Sequence, residues 1–410
     1  MLRVLHVIPS VSATRGGPTH AVLGIVRKQN SLGIRSEIVT TDDDGPSTLD
    51  VPLNCLSEYE GCPIYFFHRW DSRFSAVREY AVSVPLTFWL MKNAGDYDIL
   101  HIHALFSFPS TIGMLTARFK QRPYVVRPLG LLCAWSLRQK ATKKRLYLRL
   151  VEHRNLNNAT IIEYSTPGEQ NEVANLKLRP ASIVLPLGFE LQDTLPAARQ
   201  QLRAKFGIPE DTAIIVYLSR LHPKKGLDVL LRSLTRLTGI PFRLIIAGGG
   251  QLEYERAIDA LISELGLGDV AFRVGFVEGE DKALILQGAD IFALTSHSES
   301  FGIAVAEAMA AGLPTIVTPG VPLAPVIEEN HFGWVPRLDE HEIARAVANA
   351  LADLEFTKKK GARAAAYARE HYTWEAFVGH LASLYRAIAS KRNIDDEAAD
   401  LLGVQISRRR

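Results

Sequence analysis

Two carboxylates, Glu299 and Glu307, stand eight positions apart in SHSESFGIAVAEAMAAGLPTIV (296–317), with only small or apolar residues between them. Acids in so apolar a segment call for a reason, because carboxylates are rarely buried without partners. IFALTS (291–296) reads as a strand, HSESFG as a loop, and IAVAEAMAA as a helix stopped by Gly312 and Pro314. The amides of Gly302 and Ile303 at that helix start are anion donors. Two acids beside a phosphate would repel it unless they accept hydrogen bonds from hydroxyl groups instead. The expected division gives phosphate to the amides and sugar hydroxyls to Glu299 and Glu307. The plain alternative makes Glu299 a helix cap and Glu307 a core carboxylate with a partner.

Three other polar clusters directly follow apolar runs. In LSRLHPKKGLDVLL, Arg220, Lys224 and Lys225 come after a strand and Gly226 precedes a helix. Cations there suit a diphosphate, although the glycine-lysine-serine order of a Walker A loop is missing; the alternative is a solvated basic loop. In RGGPTH (15–20), Gly16 and Gly17 allow close backbone approach, and the next helix aims its amides at the same place. The G-x-G-x-x-G dinucleotide fingerprint is absent, which disfavours a nicotinamide dehydrogenase; a tight turn is the alternative. In DILHIHALFSFPS, His101 and His103 are expected on opposite faces of a strand, with His103, nearer the strand end, the better ligand candidate. TDDDG (41–45) contains an Asp-x-Asp sequence but reads as a solvated acidic loop, so no metal is expected.

These clusters need elements to hold them. Apolar runs at 4–10, 36–40, 63–67, 98–104, 124–129, 160–165 and 182–188 read as strands separated by helical patterns. After a polar connection a second series begins, at 213–221, 242–250, 270–277, 291–296, 314–320 and 333–336. Strands alternating with helices predict an α/β chain of two doubly wound parallel sheets, joined near residue 188. In such sheets ligands bind beyond the carboxyl ends of the strands, where all four clusters fall.

The chain has 410 residues, 47% hydrophobic and 22% charged, an ordinary soluble composition. Its three cysteines, Cys55, Cys62 and Cys133, imply neither a disulfide framework nor a zinc site. The longest apolar run, AVSVPLTFWLM from Ala81, is too short to span a bilayer, and no secretory signal is read at the start, so a cytoplasmic location is expected. Net charge is +3, but residues 1–187 hold 22 lysines and arginines against 15 acids, and the remainder 25 against 29, giving +7 and −4. The basic stretch SLRQKATKKRLYLRLVEHR (136–154) mixes cations with Leu146, Tyr147, Leu148 and Leu150. It lacks the interleaved stacking aromatics of a nucleic-acid surface, and no nucleic-acid partner is expected. An anionic membrane surface would attract it by about 1 kcal/mol per nearby cation.

Taken in order, GGPTH, DILHIHA, VLPLGFE, LSRLHPKKGLDVLL, IIAGGG, FRVGFV and the E-x7-E of ESFGIAVAE resemble the retaining glycosyltransferases of GT-B fold often called family 4, over nearly the whole chain. The resemblance implies GT-B architecture: two Rossmann-like domains facing across a cleft. It implies an acceptor-binding domain at 1–187, a nucleotide-sugar-binding domain at 188–370, a terminal helix at 371–392 crossing back to the first domain, and a flexible tail at 393–410. Arg220 and Lys225 would neutralise a donor diphosphate, Glu307 bind the ribose and Glu299 the transferred sugar. Phe301, Gly302 and Ile303 would lie near the distal phosphate, Phe276 and Val277 beside the base, Gly16 and Gly17 near the diphosphate, and His103 near the reacting sugar. Catalysis would fall to His103, Glu299, Arg220 and Lys225, without metal or other cofactor.

Two departures stand out: PLG at 186–188, where the family commonly has an asparagine, and RPLG at 127–130, which makes Arg127 an acceptor-binding candidate. The implied activity moves a sugar from a UDP- or GDP-sugar to a saccharide acceptor, expected to be lipid-linked, in cell-surface polysaccharide or lipopolysaccharide synthesis. The alternatives are a sucrose- or trehalose-type synthase acting on a small soluble sugar, and a non-catalytic sugar-nucleotide-binding protein.

Overall fold

β-Branched and aliphatic runs without polar interruption form strands whose two faces are both covered by helices. In the first unit these are β1 (Arg3–Val7), β2 (Arg35–Thr41), the short β3 (Asp43–Asp44) and β4 (Ser47–Thr48), β5 (Leu56–Tyr59), β6 (Cys62–Phe67), β7 (Ile99–His103), β8 (Tyr124–Arg127), β9 (Ile161–Tyr164) and β10 (Ala181–Val184). The second unit adds β11 (Ala213–Leu218), β12 (Phe242–Ala247), β13 (Ala271–Gly275), β14 (Ile291–Leu294), β15 (Thr315–Val317) and β16 (Gly333–Trp334). The computed structural model describes residues 1–138, 141–299 and 301–390; the expected tail at 393–410 lies outside them.

The first unit comprises Met1–Gly188 and the chain from Trp374 onward; the second is Phe189–Thr373. The first unit's sheet runs β10-β9-β8-β7-β1-β2-β6-β5. Its pairs are parallel except β5 with β6, an antiparallel edge that the sequence reading missed. The second unit's sheet runs β13-β12-β11-β14-β15-β16 and is parallel throughout. In each, the strand order reverses direction at one place: between β1 and β7 in the first unit, between β11 and β14 in the second. Loops leaving the carboxyl ends of such a pair part to opposite faces, which opens the crevice where ligands bind in open α/β sheets.

The terminal helix Trp374–Ala389 belongs to the first unit. Its Phe377, Val378, Leu381, Tyr385 and Ile388 pack with Val4, Ile99, Val125, Ile161 and Ile183, covering one face of the sheet. Burial of such side chains is worth about 1.5–3 kcal/mol each. The helix enters over Gly24, in the helix Gly17–Ser31, where a Cβ would lie 2.2 Å from the Trp374 ring. Among the described residues, no helix is long and apolar enough to cross a membrane.

Gly24→Val should overpack that contact and destabilise the protein by about 3 kcal/mol, read by urea denaturation. Gly379→Ala, in the same terminal helix but with nothing within 4 Å of the added methyl, should be neutral or stabilising by up to about 1 kcal/mol.

Candidate functional site

At the second unit's reversal, the loops leaving β11 and β14 are tied together atom by atom. The His297 amide donates to the Lys224 carbonyl at 2.9 Å, and the Thr295 hydroxyl donates to the Gly226 carbonyl at 2.7 Å. Gly226 has φ of +63°, and a Cβ there would lie 2.1 Å from the Thr295 carbonyl oxygen, so only glycine allows the approach. The crossing brings Lys225 Nζ to 2.5 Å from both carboxylate oxygens of Glu299. Ser296 Oγ donates to the same carboxylate at 2.8 Å, and the Glu299 amide donates to the Gly320 carbonyl at 2.8 Å. The pair is largely buried, with side-chain exposures of 17% and 9%. Arg220 is exposed and makes no ion pair among the described residues. Burial, then the charges of Arg220, Lys225 and Lys224, lower the His222 pKa. The expected basic loop is thus built into the sheet edge rather than left in solvent.

Gly302, in the left-handed region at φ +94°, starts the helix Ile303–Ala310 with no side chain capping it. The Val305 amide donates to the Gly302 carbonyl at 2.9 Å, which leaves the Ile303 and Ala304 amides as the first-turn donors for an outside acceptor among the described residues. Glu307 lies one turn on and pairs with Lys282 Nζ at 2.8 Å, from the helix Gly279–Gly288 that follows β13. Both acids of the opening motif are therefore neutralised by lysines, so their repulsion of a phosphate is smaller than the sequence alone suggested. Glu307 also lines a cavity of about 550 Å³ with Glu190, Leu286, Gln287 and Arg369. Phe276 is exposed and Val277 half-buried beyond β13. Phe301 differs: it is buried, edge-on to Tyr372 at 5.7 Å between ring centroids, and serves packing rather than a ligand.

At the first unit's reversal, Gly16 caps the helix Gly17–Ser31 with φ of +69°, and the expected solvated acids at 42–44 prove to be its bracing. Asp42 and Asp43 are buried. Asp43 pairs with Arg15, its carbonyl accepts from Ser10 Oγ at 2.6 Å, and Asp44 accepts from Ser12 and Thr14. Asp42 accepts from the Arg69 amide at 2.8 Å and contacts His68 at 2.7 Å. Acids with this many donors hold a loop instead of facing water.

Two further expectations need correction. His101 and His103 point to the same face of β7, as residues two apart on a strand must, and their rings stack at 4.2 Å with His6 on β1 beside them. Arg127 offers nothing to an acceptor: it is wholly buried, 2.7 Å from Glu163 and over the Phe377 ring. An arginine inside a sheet stays only where a carboxylate and a π face compensate its lost hydration.

Residues 198–371 match the family profile described as glycosyl transferases group 1, and residues 16–188 match the glycosyl transferase 4-like domain. Its second unit thus matches the glycosyl transferases group 1 family and its first the glycosyl transferase 4-like family. The chain is 32% identical over 226 residues to a D-inositol 3-phosphate glycosyltransferase of Saccharomonospora viridis, covering 52% of each protein. A Nocardioides protein of the same name is 27% identical over 312 residues, covering 71% of this chain and 68% of that one. The chain spans about half the length of the curated relatives it matches at 30% identity or more. Among solved structures, Anabaena HepE in complex with UDP and glucose aligns with a TM-score of 0.73 at 18% identity, covering 94% of this chain and 100% of that chain. The sucrose-phosphate synthase of Thermosynechococcus elongatus aligns at 0.76 and 18%, covering 95% and 100%. These place the fold of the chain as GT-B.

Several polar residues that partner the expected site residues or the loops around them escaped the sequence reading: His6, Gln29, Glu152, Glu163, Lys282 and Ser296. Only Lys282 carried a usable signal, a lone cation on the helix after FRVGFV. Glu152 ends a π-helical turn, Leu148–Glu152, inside the basic stretch. Such turns often mark functional positions. Its carboxylate is buried and accepts from the Phe106 amide at 3.2 Å and Thr111 Oγ1 at 3.3 Å. Ala104 and Phe106, with φ of 65° and 57°, form the strained turn after β7 that this carboxylate clamps. Lys144 of the basic stretch donates to the Ser136 carbonyl at 2.8 Å, while Lys143, Arg145, Arg149 and Arg154 are exposed; Lys140 lies outside the described residues.

Burial pushes the Glu152 carboxyl up to about 7, against the Phe106, Thr111 and Asn155 bonds that favour its charged form. The unfolded chain ionises it near 4.5, so folding carries a penalty that grows as pH rises from there to about 7 and is constant above. Glu152→Gln removes that penalty. Relative to the parent protein, its stability should improve by about 2.5 kcal/mol between pH 5 and pH 8, measured by urea denaturation at both values.

Proposed function

We propose that this chain is a retaining glycosyltransferase that moves a sugar from a nucleoside-diphosphate donor to a hydroxyl acceptor. The observation that carries the reading is the Lys225–Glu299 pair at the β11/β14 reversal, beside the uncapped helix start at Gly302. Each member of that pair is the right group for one part of such a donor. Lys225 turns from Glu299 to the diphosphate, joined by Arg220 and the first-turn amides; Glu299, released, accepts from hydroxyls of the transferred sugar. Glu307 exchanges Lys282 for the ribose hydroxyls in the same way. As the sugar–phosphate bond breaks, negative charge grows on the departing diphosphate, and the fixed positive groups stabilise it without reorganising. The acceptor hydroxyl attacks from the face the diphosphate leaves, and its proton passes to a phosphate oxygen. In this reading the charge is met by the chain's own cations, with no metal required, and His103 lies near the reacting sugar.

Solved relatives hold UDP, which makes uridine the first base to test. Thermal-shift screening against UDP- and GDP-sugars reads binding directly, since a ligand at ~100 times its dissociation constant adds about 2.7 kcal/mol. Lys225→Ala should lower turnover about a hundredfold or more; it also strands Glu299 and so lowers stability, with the native fold of the assayed variant checked by circular dichroism. Glu307→Ala should weaken donor binding roughly tenfold or more. Unimpaired transfer by the Lys225 variant would contradict the diphosphate assignment.

For the acceptor, the reading is a lipid-linked saccharide at an anionic membrane, in cell-surface polysaccharide synthesis. Its support lies in the first unit, where Leu115, Phe119 and Leu150 are exposed around a groove of about 460 Å³ rimmed by Arg118 and Arg154. The helices Val84–Asn93, Phe108–Phe119 and 141–156 bear no exposed acid, since Glu152 points inward. A small phosphorylated polyol or sugar acceptor is the second reading, favoured by the names of the inositol-phosphate and sucrose-phosphate relatives. Flotation with vesicles containing anionic phospholipid separates the two: the chain should float at low salt, and Phe119→Ser with Leu150→Ser should stay at the bottom. Failure of the unaltered chain to float would favour the soluble acceptor.

A further inference from the structure

Below the first unit's reversal lies a set of buried polar side chains that packing alone does not require: His6, Gln29, His101, His103 and Tyr385. Burying such groups costs free energy unless each finds a partner, and here they form one chain. Gln29 Oε1 accepts from Ser36 Oγ at 2.5 Å and lies 2.8 Å from His6 Nε2. A carbonyl oxygen only accepts, so His6 Nε2 carries its hydrogen. His6 is wholly buried, and burial pushes its pKa down to about 4, so its ring is neutral and Nδ1 is a bare acceptor. His103 Nε2 lies 2.9 Å from that nitrogen and must donate to it. Burial holds the His103 ring neutral as well, which leaves its Nδ1 without a hydrogen. The position is fixed from the other side too. His101 stacks on His103 at 4.2 Å and 21°, and its Nδ1 is 2.5 Å from the Tyr385 hydroxyl of the terminal helix.

Three histidines this close could instead suggest a metal. Two nitrogens on one tetrahedral ion at ~2.0–2.1 Å stand roughly 3.3 Å apart, further than the 2.9 Å seen between His6 and His103. The rings also lie near-parallel, so their nitrogens do not converge on a point. The geometry is that of a shared hydrogen.

We propose that Gln29 and His6 are positioning residues that hold His103 as its Nε2–H tautomer, presenting Nδ1 at the end of β7 as the acceptor for a hydroxyl of the reacting sugar. The inference rests on the reading that His103 lies near that sugar. It assigns work to two buried residues, on β1 and on the helix after it, that touch no substrate.

The test uses the full chain labelled with ¹⁵N in histidine ring nitrogens. Long-range nitrogen–proton correlation should show His103, assigned by its loss in His103→Gln, with Nε2 protonated and Nδ1 bare. Gln29→Met, similar in shape but without an acceptor oxygen, should release that tautomer and lower kcat roughly tenfold, the worth of one neutral hydrogen bond, with little change in donor KM. Gln29→Glu, which keeps an acceptor oxygen, should restore most of the loss. His6→Phe gives a second route to the same result should Gln29→Met not fold. A Nδ1–H tautomer in the unaltered protein, zinc retained stoichiometrically after purification, or equal kcat in Gln29→Met and the parent would each overturn the proposal. Absence of transfer by the unaltered chain would instead sink the transferase reading, while the tautomer measurement would still decide this one.

Discussion

The contact that orders the loops at the second unit's reversal, and on which the proposed donor chemistry rests, is the pair between Lys225 and Glu299. An ammonium and a carboxylate at 2.5 Å with little exposure satisfy each other's charge. Either one alone at that depth would cost several kcal/mol. The pair can form only because the β11 and β14 loops cross within hydrogen-bond reach, and they do so because Gly226 has no side chain to strike the Thr295 carbonyl. Removing bulk at one position thus lets two charges meet at another. In the proposed function a more strongly charged ligand takes over Lys225 and releases the carboxylate for hydroxyl groups.

The first unit solves a different problem. Its sheet carries histidines, an arginine and a glutamate where aliphatic side chains would serve stability better. Glu163 shows the cost: burial pushes its carboxyl up to about 7 even with Arg127 beside it. The terminal helix helps compensate, laying Phe377 under the Arg127 guanidinium and bringing the Tyr385 hydroxyl to His101. A helix from the far end of the chain therefore completes both the apolar cover and the polar wiring of this sheet.

Much of the architecture was legible along the chain. Each apolar run read as a strand lies on a strand of the fold, because a parallel sheet covered on both faces needs continuous hydrophobicity. The edge strand Leu56–Tyr59 was not legible, since LSEY is polar and half exposed and pairs only on one side. The reading failed where a residue's type was taken as its environment. TDDDG looked solvated because acids usually are, yet Arg15, Arg69, Ser10 and Ser12 arrive from elsewhere to bury it. Arg127 looked available for an acceptor because arginines usually are, yet Glu163 lies on the neighbouring strand.

The sequence by itself determined the two sheets, the junction near residue 188, the family, and the placing of charged residues at strand ends, because all of these depend on local periodicity and order along the chain. Only the tertiary structure decided which charges meet: Lys225 with Glu299, Lys282 with Glu307, Arg127 with Glu163, His103 with His6. Those choices follow from strand order, register and the packing of the helices between strands, which bring residues 25 to 97 positions apart to within 3 Å. Electrostatic and hydrogen-bond energies depend on that distance and on burial, and neither is written in the spacing of residues along one chain.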